Sequence, residues 1–312
     1  MLAFTGTGCG ATTTPISYNM NSEVSAFRII HNTEDKKIDA FASALCVGNE
    51  DVTENTDVDM SQATAAGLFD INNHNIIYAK NIHKRLYPAS LTKILTAIVA
   101  LEHGNPNSIL TVTDDVLITE SGAQLCGLEP GDTLTLNQAL HALLIYSAND
   151  AANAIAVHIG GSQEGFVEMM NDTAASLGAT GSHFVNAHGL ADDNHYTTAY
   201  DLYLLFEKAI KYELFREIIH MNSYETVYQD SLGNDKEMSF TATNLYLKGT
   251  YKAPDKVTVI GGKTGTTNQA RNCLIMLSKD TAGNPYISVI LSSAKRQIMY
   301  EQMTDLLEEI YN

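Results

Sequence analysis

"YPASLTKILTAIVALEHG", residues 87–104, is the stretch whose reading decides the fold. Leu91, Ile94, Leu95, Ile98 and Val99 recur at helical spacing, and Gly104 with Pro106 ends the run, which predicts a buried helix. Ser90 stands at the mouth of that helix and Lys93 three residues further in, so the two share a face. An ammonium is strongly hydrated, and a lysine on the apolar side of a core helix therefore calls for a chemical reason.

Before this helix, residues 63–71 ("ATAAGLFDI") and 74–80 ("HNIIYAK") flank the turn formers Asn72 and Asn73 and predict a hairpin. After it, residues 136–146, 151–160, 162–178 and about 198–211 read as helices, with Phe166, Met169, Met170, Thr173, Ala174 and Leu177 on one core-facing stripe. Strands then take over at 224–229, 237–242, 256–265, 271–279 and 286–294, and an amphipathic helix at about 296–311 closes the chain. Strands at both ends with helices between them predict an α/β fold of the α+β type. One antiparallel sheet of about five strands, flanked by helices, carries a helical insertion at about 105–245, and a cleft opens where the two meet.

Of the 312 residues, 1–41 are expected to form a polar tether and 42–312 the folded domain. A formal charge of −17 excludes a nucleic-acid groove and a polybasic membrane patch. Cys9, Cys46, Cys126 and Cys273 form no CxxC pair, so neither a zinc site nor a disulfide framework is indicated, and the last three read as buried free thiols.

A lysine desolvated beside a serine loses affinity for its proton and can accept the hydroxyl proton, making the serine a nucleophile. SxxK alone is common by chance and equally suits a capping serine with a surface lysine. "YSANDAA" (146–152) adds Ser147 and Asn149 at an inter-helix loop, where Ser and Asn also serve as ordinary caps. "GGKTGTT" (261–267) ends an apolar strand with Lys263, Thr264, Gly265 and Thr266, either a plain strand entering a Gly turn or a cationic edge that pairs with a peptide.

In this order, SxxK, SxN and KTG form one strong signature, that of penicillin-binding proteins and class A β-lactamases. The chain most resembles the serine-type D-alanyl-D-alanine carboxypeptidases, the low-molecular-weight penicillin-binding proteins of peptidase family S11. The blocks "PASLTKILTA", "LEPGDTLTLNQALHALLIYSANDAANAIA", "FVNAHGLADDNHYTTAYDL" and "GGKTGTTNQARNCL" extend the likeness from about residue 42 to the end. The resemblance implies a β-lactamase/DD-peptidase-like fold and an extracytoplasmic enzyme of peptidoglycan biosynthesis without metal or cofactor. Its substrates would be stem peptides ending in D-Ala-D-Ala, and β-lactams would acylate it. Ser90 would be the nucleophile, Lys93 its general base, and Ser147 the relay to the leaving amine. Asn149 would bind the substrate backbone and steady Lys93. Lys263, Thr264, Gly265 and Thr266 would receive the terminal carboxylate, with the backbone N–H groups of Ser90 and Thr266 as oxyanion hole.

The chain stops after its closing helix, so the C-terminal β domain and amphipathic anchor of many relatives are expected to be absent. "MLAFTGTGCG" resembles the end of a bacterial lipoprotein signal, cut short, which makes Cys9 a candidate lipid attachment to the membrane. Thr266 stands where some carboxypeptidases carry His. Two alternatives remain: a β-lactamase, although no ExxLN segment lies between Asn149 and Lys263, and a non-catalytic sensor of muropeptides or β-lactams. His188, His195, Asp192 and Asp193 match no zinc spacing and read as a structured loop. Arg271 either faces the cleft or covers the sheet edge.

Overall fold

The computed structural model describes residues 42–53 and 58–311. The tether and Cys9 lie outside the described residues. A five-stranded antiparallel sheet is built from β1 (Ala65–Asp70), β2 (Asn75–Lys80), β7 (Thr258–Thr267), β8 (Arg271–Lys279) and β9 (Pro285–Ser293), in the order β2-β1-β9-β8-β7. The last strand pairs with the first, from Ala65 opposite Leu291 to Asp70 opposite Tyr286, so the two ends of the domain close one sheet as expected.

Both faces of this sheet are covered, which explains why its strands read as continuous apolar runs rather than alternating ones. Side chains still alternate between two cores. Phe69, Ile275, Ile287, Val289 and Leu291 face the helical side. Leu68, Leu274, Met276 and Ile290 meet Tyr300, Met303, Leu306 and Leu307 of α7 (Arg296–Glu308) on the other.

The predicted central helix is α1 (Thr92–His103), preceded by a 3-10 turn over Ala89–Leu91 that holds Ser90. Every residue from Thr92 to Ala100 is buried, because α3 (Asn149–Gly160), α4 (Gln163–Ser176) and α5 (Ala199–Ala209) pack around it. α2 (Leu136–His141) starts with a capping box, Thr135 with Gln138, and runs into a π-turn over Ala142–Tyr146.

Three features differ from the sequence expectations. The strands read at 224–229 and 237–242 do not join the main sheet: as β5 (Ser223–Gln229) and β6 (Asp235–Thr241) they form a second sheet, β3-β4-β5-β6, with β3 (Ile109–Thr111) and β4 (Thr133–Thr135). The insertion is therefore mixed rather than helical. Two of its strands have three residues each, too short for a period-2 signal. The helix ending near Ala209 is followed by a separate α6 (Glu213–His220), whose Phe215, Ile218 and Ile219 are buried and whose Ile219 carbonyl abuts Gly261 of β7. Cys46 and Cys273 are buried free thiols, whereas Cys126 is only partly buried.

Candidate active site

The main sheet delivers β7 alongside the turn that holds Ser90. A β-carbon on Gly265 would stand 3.1 Å from Ser90 N, the Pro88 carbonyl and the Ala89 β-carbon, so only glycine lets the strand approach without displacing the nucleophile's turn. The backbone nitrogen of Ser90 thereby lies beside Gly265. Ala89, just before Ser90, adopts a left-handed φ of 48°, and Ser147 one of 71°. Such values in non-glycine residues store strain and concentrate at functional sites.

Lys93 is 0 % exposed. Its Nζ lies 2.6 Å from Asn149 Oδ1, 2.6 Å from the His188 carbonyl and 3.1 Å from Ser90 Oγ. The first two oxygens can only accept, so they engage two N–H groups of the amine. A neutral amine has no third hydrogen, and its lone pair is left facing Ser90 Oγ. Burial pushes the Lys93 amine well below its ordinary value of 10.5, and the neighbouring Lys263 charge pushes the same way, against Asp150. Desolvation favours the free base, and in that state the two acceptors leave its lone pair aimed at the Ser90 hydroxyl.

The second lysine serves the second serine. Lys263 Nζ donates to Ser147 Oγ at 2.8 Å and to the Thr264 carbonyl at 2.9 Å. Burial lowers its pKa to about 7. Lys263, expected on the carboxylate, lies behind the cleft wall at 1 % exposure. The wall itself carries Thr264, Gly265 and Thr266, in a cleft of about 310 Å³ that also exposes Ser90, Ser147, Asn149 and Arg296.

Three contributors escaped the sequence reading. The His188 carbonyl is aimed by a turn in which Asn186 Oδ1 accepts Gly189 N at 2.6 Å and Thr96 donates to the Ala187 carbonyl at 2.6 Å. A backbone acceptor has no side-chain signature, although the surrounding "NAHGL" was visible. Buried Asp150 accepts the backbone N–H groups of Cys126, Gly127 and Leu128 at 3.0, 2.8 and 3.1 Å and pins the segment whose Gly122, Ala123 and Gln124 form the opposite wall. Arg296 begins α7, donates to the Thr243 carbonyl at 3.0 Å and brings a permanent positive charge to the cleft. Only its place after the last strand could have signalled it.

Arg271 is exposed at the β7–β8 turn, paired with Thr267, and is not among the cleft-lining residues. His188, His195, Asp192 and Asp193 do not converge: among the described residues no group of three His, Cys, Asp or Glu side chains is arranged to hold a metal ion. Burial keeps His188 and His195 neutral, with pKa values lowered to about 3 and about 4. Among the described residues no helix is long and apolar enough to cross a membrane.

Comparison with known proteins places this arrangement first by fold. A DD-transpeptidase from Streptomyces superposes with a TM-score of 0.73 at 25% identity, over 80% of this chain and 96% of that one. The family described as D-alanyl-D-alanine carboxypeptidase, peptidase family S11, matches residues 51–295, and the chain belongs to it. Curated relatives include the D-alanyl-D-alanine carboxypeptidases DacF of Bacillus subtilis, 33% identical over 254 residues, and DacC of Escherichia coli, 30% identical over 250 residues. The matches cover 79% and 77% of this chain but only 61% and 59% of those relatives.

Proposed function

We propose that this protein is a serine D-Ala-D-Ala carboxypeptidase that removes the terminal D-alanine from peptidoglycan stem peptides and is acylated by β-lactams. The observation that carries the reading is the Lys93 amine, buried and held by two acceptors with its third direction on Ser90 Oγ.

The peptide enters along β7, an edge strand of the main sheet, as an added antiparallel strand. Its carboxylate meets Thr264, Thr266 and Arg296, with the Lys263 charge behind them. Lys93 Nζ takes the Ser90 proton while Oγ bonds to the carbonyl carbon between the two D-alanines. The Ser90 and Thr266 N–H groups receive the oxyanion, each donor contributing roughly 3 to 4 kcal/mol where such donors have been removed. The C–N bond breaks as the proton that Lys93 took from Ser90 passes through Ser147 to the departing amine, and D-alanine leaves. Water adds to the acyl-enzyme as Lys93 Nζ takes its proton, and the shortened peptide departs as that proton returns to Ser90 Oγ.

The same reading places the enzyme outside the cytoplasmic membrane, where its substrate is, either secreted or lipid-anchored through Cys9. Among the described residues lining the cleft none is Asp or Glu, so a β-lactam ester lacks the carboxylate base that a class A β-lactamase uses. The test is D-alanine release from a diacylated lysyl-D-Ala-D-Ala peptide together with covalent labelling by a fluorescent penicillin. Release with labelling, both lost in Ser90→Ala, is expected. Labelling without release turns the protein into a sensor, and rapid penicillin turnover without release into a β-lactamase. Mass spectrometry of protein from the native host reads Cys9 directly.

A further inference from the structure

The peptide bond leading into Ser90 is held by a chain of hydrogen bonds that the reaction above leaves unused. The Ala89 carbonyl accepts the Thr92 hydroxyl at 2.9 Å as well as the Thr92 backbone N–H. The hydroxyl hydrogen is thereby committed, and the oxygen, 2.7 Å from His195 Nε2, can only accept there. Nε2 therefore carries the imidazole hydrogen. Nδ1 accepts the Val185 backbone N–H at 3.1 Å, so both ring nitrogens have fixed roles and the ring is neutral.

Thr92 and His195 are 0 % and 1 % exposed, and the Phe184 ring packs edge-on against the imidazole at 5.5 Å. Gly189 also closes on the same carbonyl, where a β-carbon would stand 1.9 Å from Ala89 O and 2.9 Å from the Thr92 hydroxyl oxygen. Residues 185–195 thus grip both ends of the reacting pair: His188 holds the base, and His195, through Thr92, holds the peptide before the nucleophile. The two hydrogen bonds on the Ala89 carbonyl fix the plane of the Ala89–Ser90 peptide, and without this grip that plane is free to turn about ψ of Ala89 and φ of Ser90. That rotation would turn the Ser90 N–H away from the Thr266 N–H.

We propose that His195 and Thr92 are positioning residues, a relay from the Val185 N–H to the Ala89 carbonyl that keeps the oxyanion-binding N–H of Ser90 aimed. The inference rests on the acyl-transfer reading above. Its test measures, for fluorescent penicillin, the dissociation constant of the initial complex and the acylation rate constant in Thr92→Val, His195→Ala, their double variant, Thr92→Ser and His195→Gln. The glutamine amide offers one acceptor and one donor, as the neutral ring does.

Thr92→Val and His195→Ala are expected to slow acylation about 10²-fold, the loss seen when one oxyanion donor is removed. The dissociation constant stays within about twofold, the double variant is no slower than either single, and Thr92→Ser and His195→Gln recover most of the rate. Singles that acylate at the wild-type rate, or effects that multiply in the double variant, overturn the relay. Should His195→Ala not fold, the isosteric Thr92→Val carries the test alone. Absence of labelling in the wild type would instead overturn the acyl-transfer reading, so the two failures are distinct.

Discussion

The apolar core around α1 and the polar network under the cleft are equally buried, yet they are built by opposite means. Leu95, Ile98 and Phe206 belong to one cluster of buried apolar side chains, and what holds them is area removed from water. Lys93 and Lys263 are as fully enclosed, but each nitrogen is matched to oxygens, and among the described residues neither has a carboxylate partner within ion-pair distance. A paired carboxylate would have stabilised the ammonium forms and held their protons. Hydrogen-bond acceptors without full charge satisfy the amines geometrically while leaving desolvation free to lower their proton affinity. The first region spends burial on stability; the second spends it on reactivity.

Substitutions should therefore separate the two. The largest effect on chemistry is expected for Lys93→Ala, which should slow acylation by on the order of 10³-fold, the size of a lost general base, with little change in thermal stability. Leu95→Ala should do the reverse: about 2 to 5 kcal/mol of stability lost in denaturant titration, with an unchanged acylation rate for the folded fraction. A Leu95 variant that lost rate while staying folded would dissolve the distinction.

A smaller effect concerns pH. Lys263 releases its proton near pH 7 in the folded protein and near its ordinary 10.5 when unfolded. Between those values the unfolded chain binds more protons, so this group makes stability rise with pH through that window. Lys263→Met should flatten that rise and stabilise the fold most at and below pH 7, as stability measured at several pH values would show. Smallest is Arg296→Gln, expected to raise KM for the D-Ala-D-Ala peptide about tenfold, the worth of one charge-assisted hydrogen bond. The corresponding amidated peptide, lacking the carboxylate, should show no such difference between variant and wild type.

The same contrast governs what the sequence discloses. α1 is written in helical periodicity, and the β1–β2 hairpin and the closing sheet in apolar runs bounded by turn formers, because apolar burial depends on the pattern along one element. Ser90, Lys93, Ser147, Asn149 and the KTG strand were legible as three ordered motifs, although none of them is informative alone. What stayed hidden depends on contacts between distant segments. The His188 carbonyl on Lys93 and Asp150 on three backbone N–H groups join positions many residues apart through atoms that every residue possesses. The second sheet was missed for a related reason, since β3 and β4 are defined by their pairing partners more than by their own three residues.

The central claim is that Lys93 is a neutral base at the pH where the enzyme works, and the pH dependence of the second-order acylation rate constant reads it directly. The account predicts that the acid limb of the rate lies well below the ordinary lysine value of 10.5, so that the rate no longer climbs as pH approaches it. A rate that keeps climbing tenfold per pH unit up to 10.5 would mean that Lys93 is protonated in the resting enzyme, and would contradict the account.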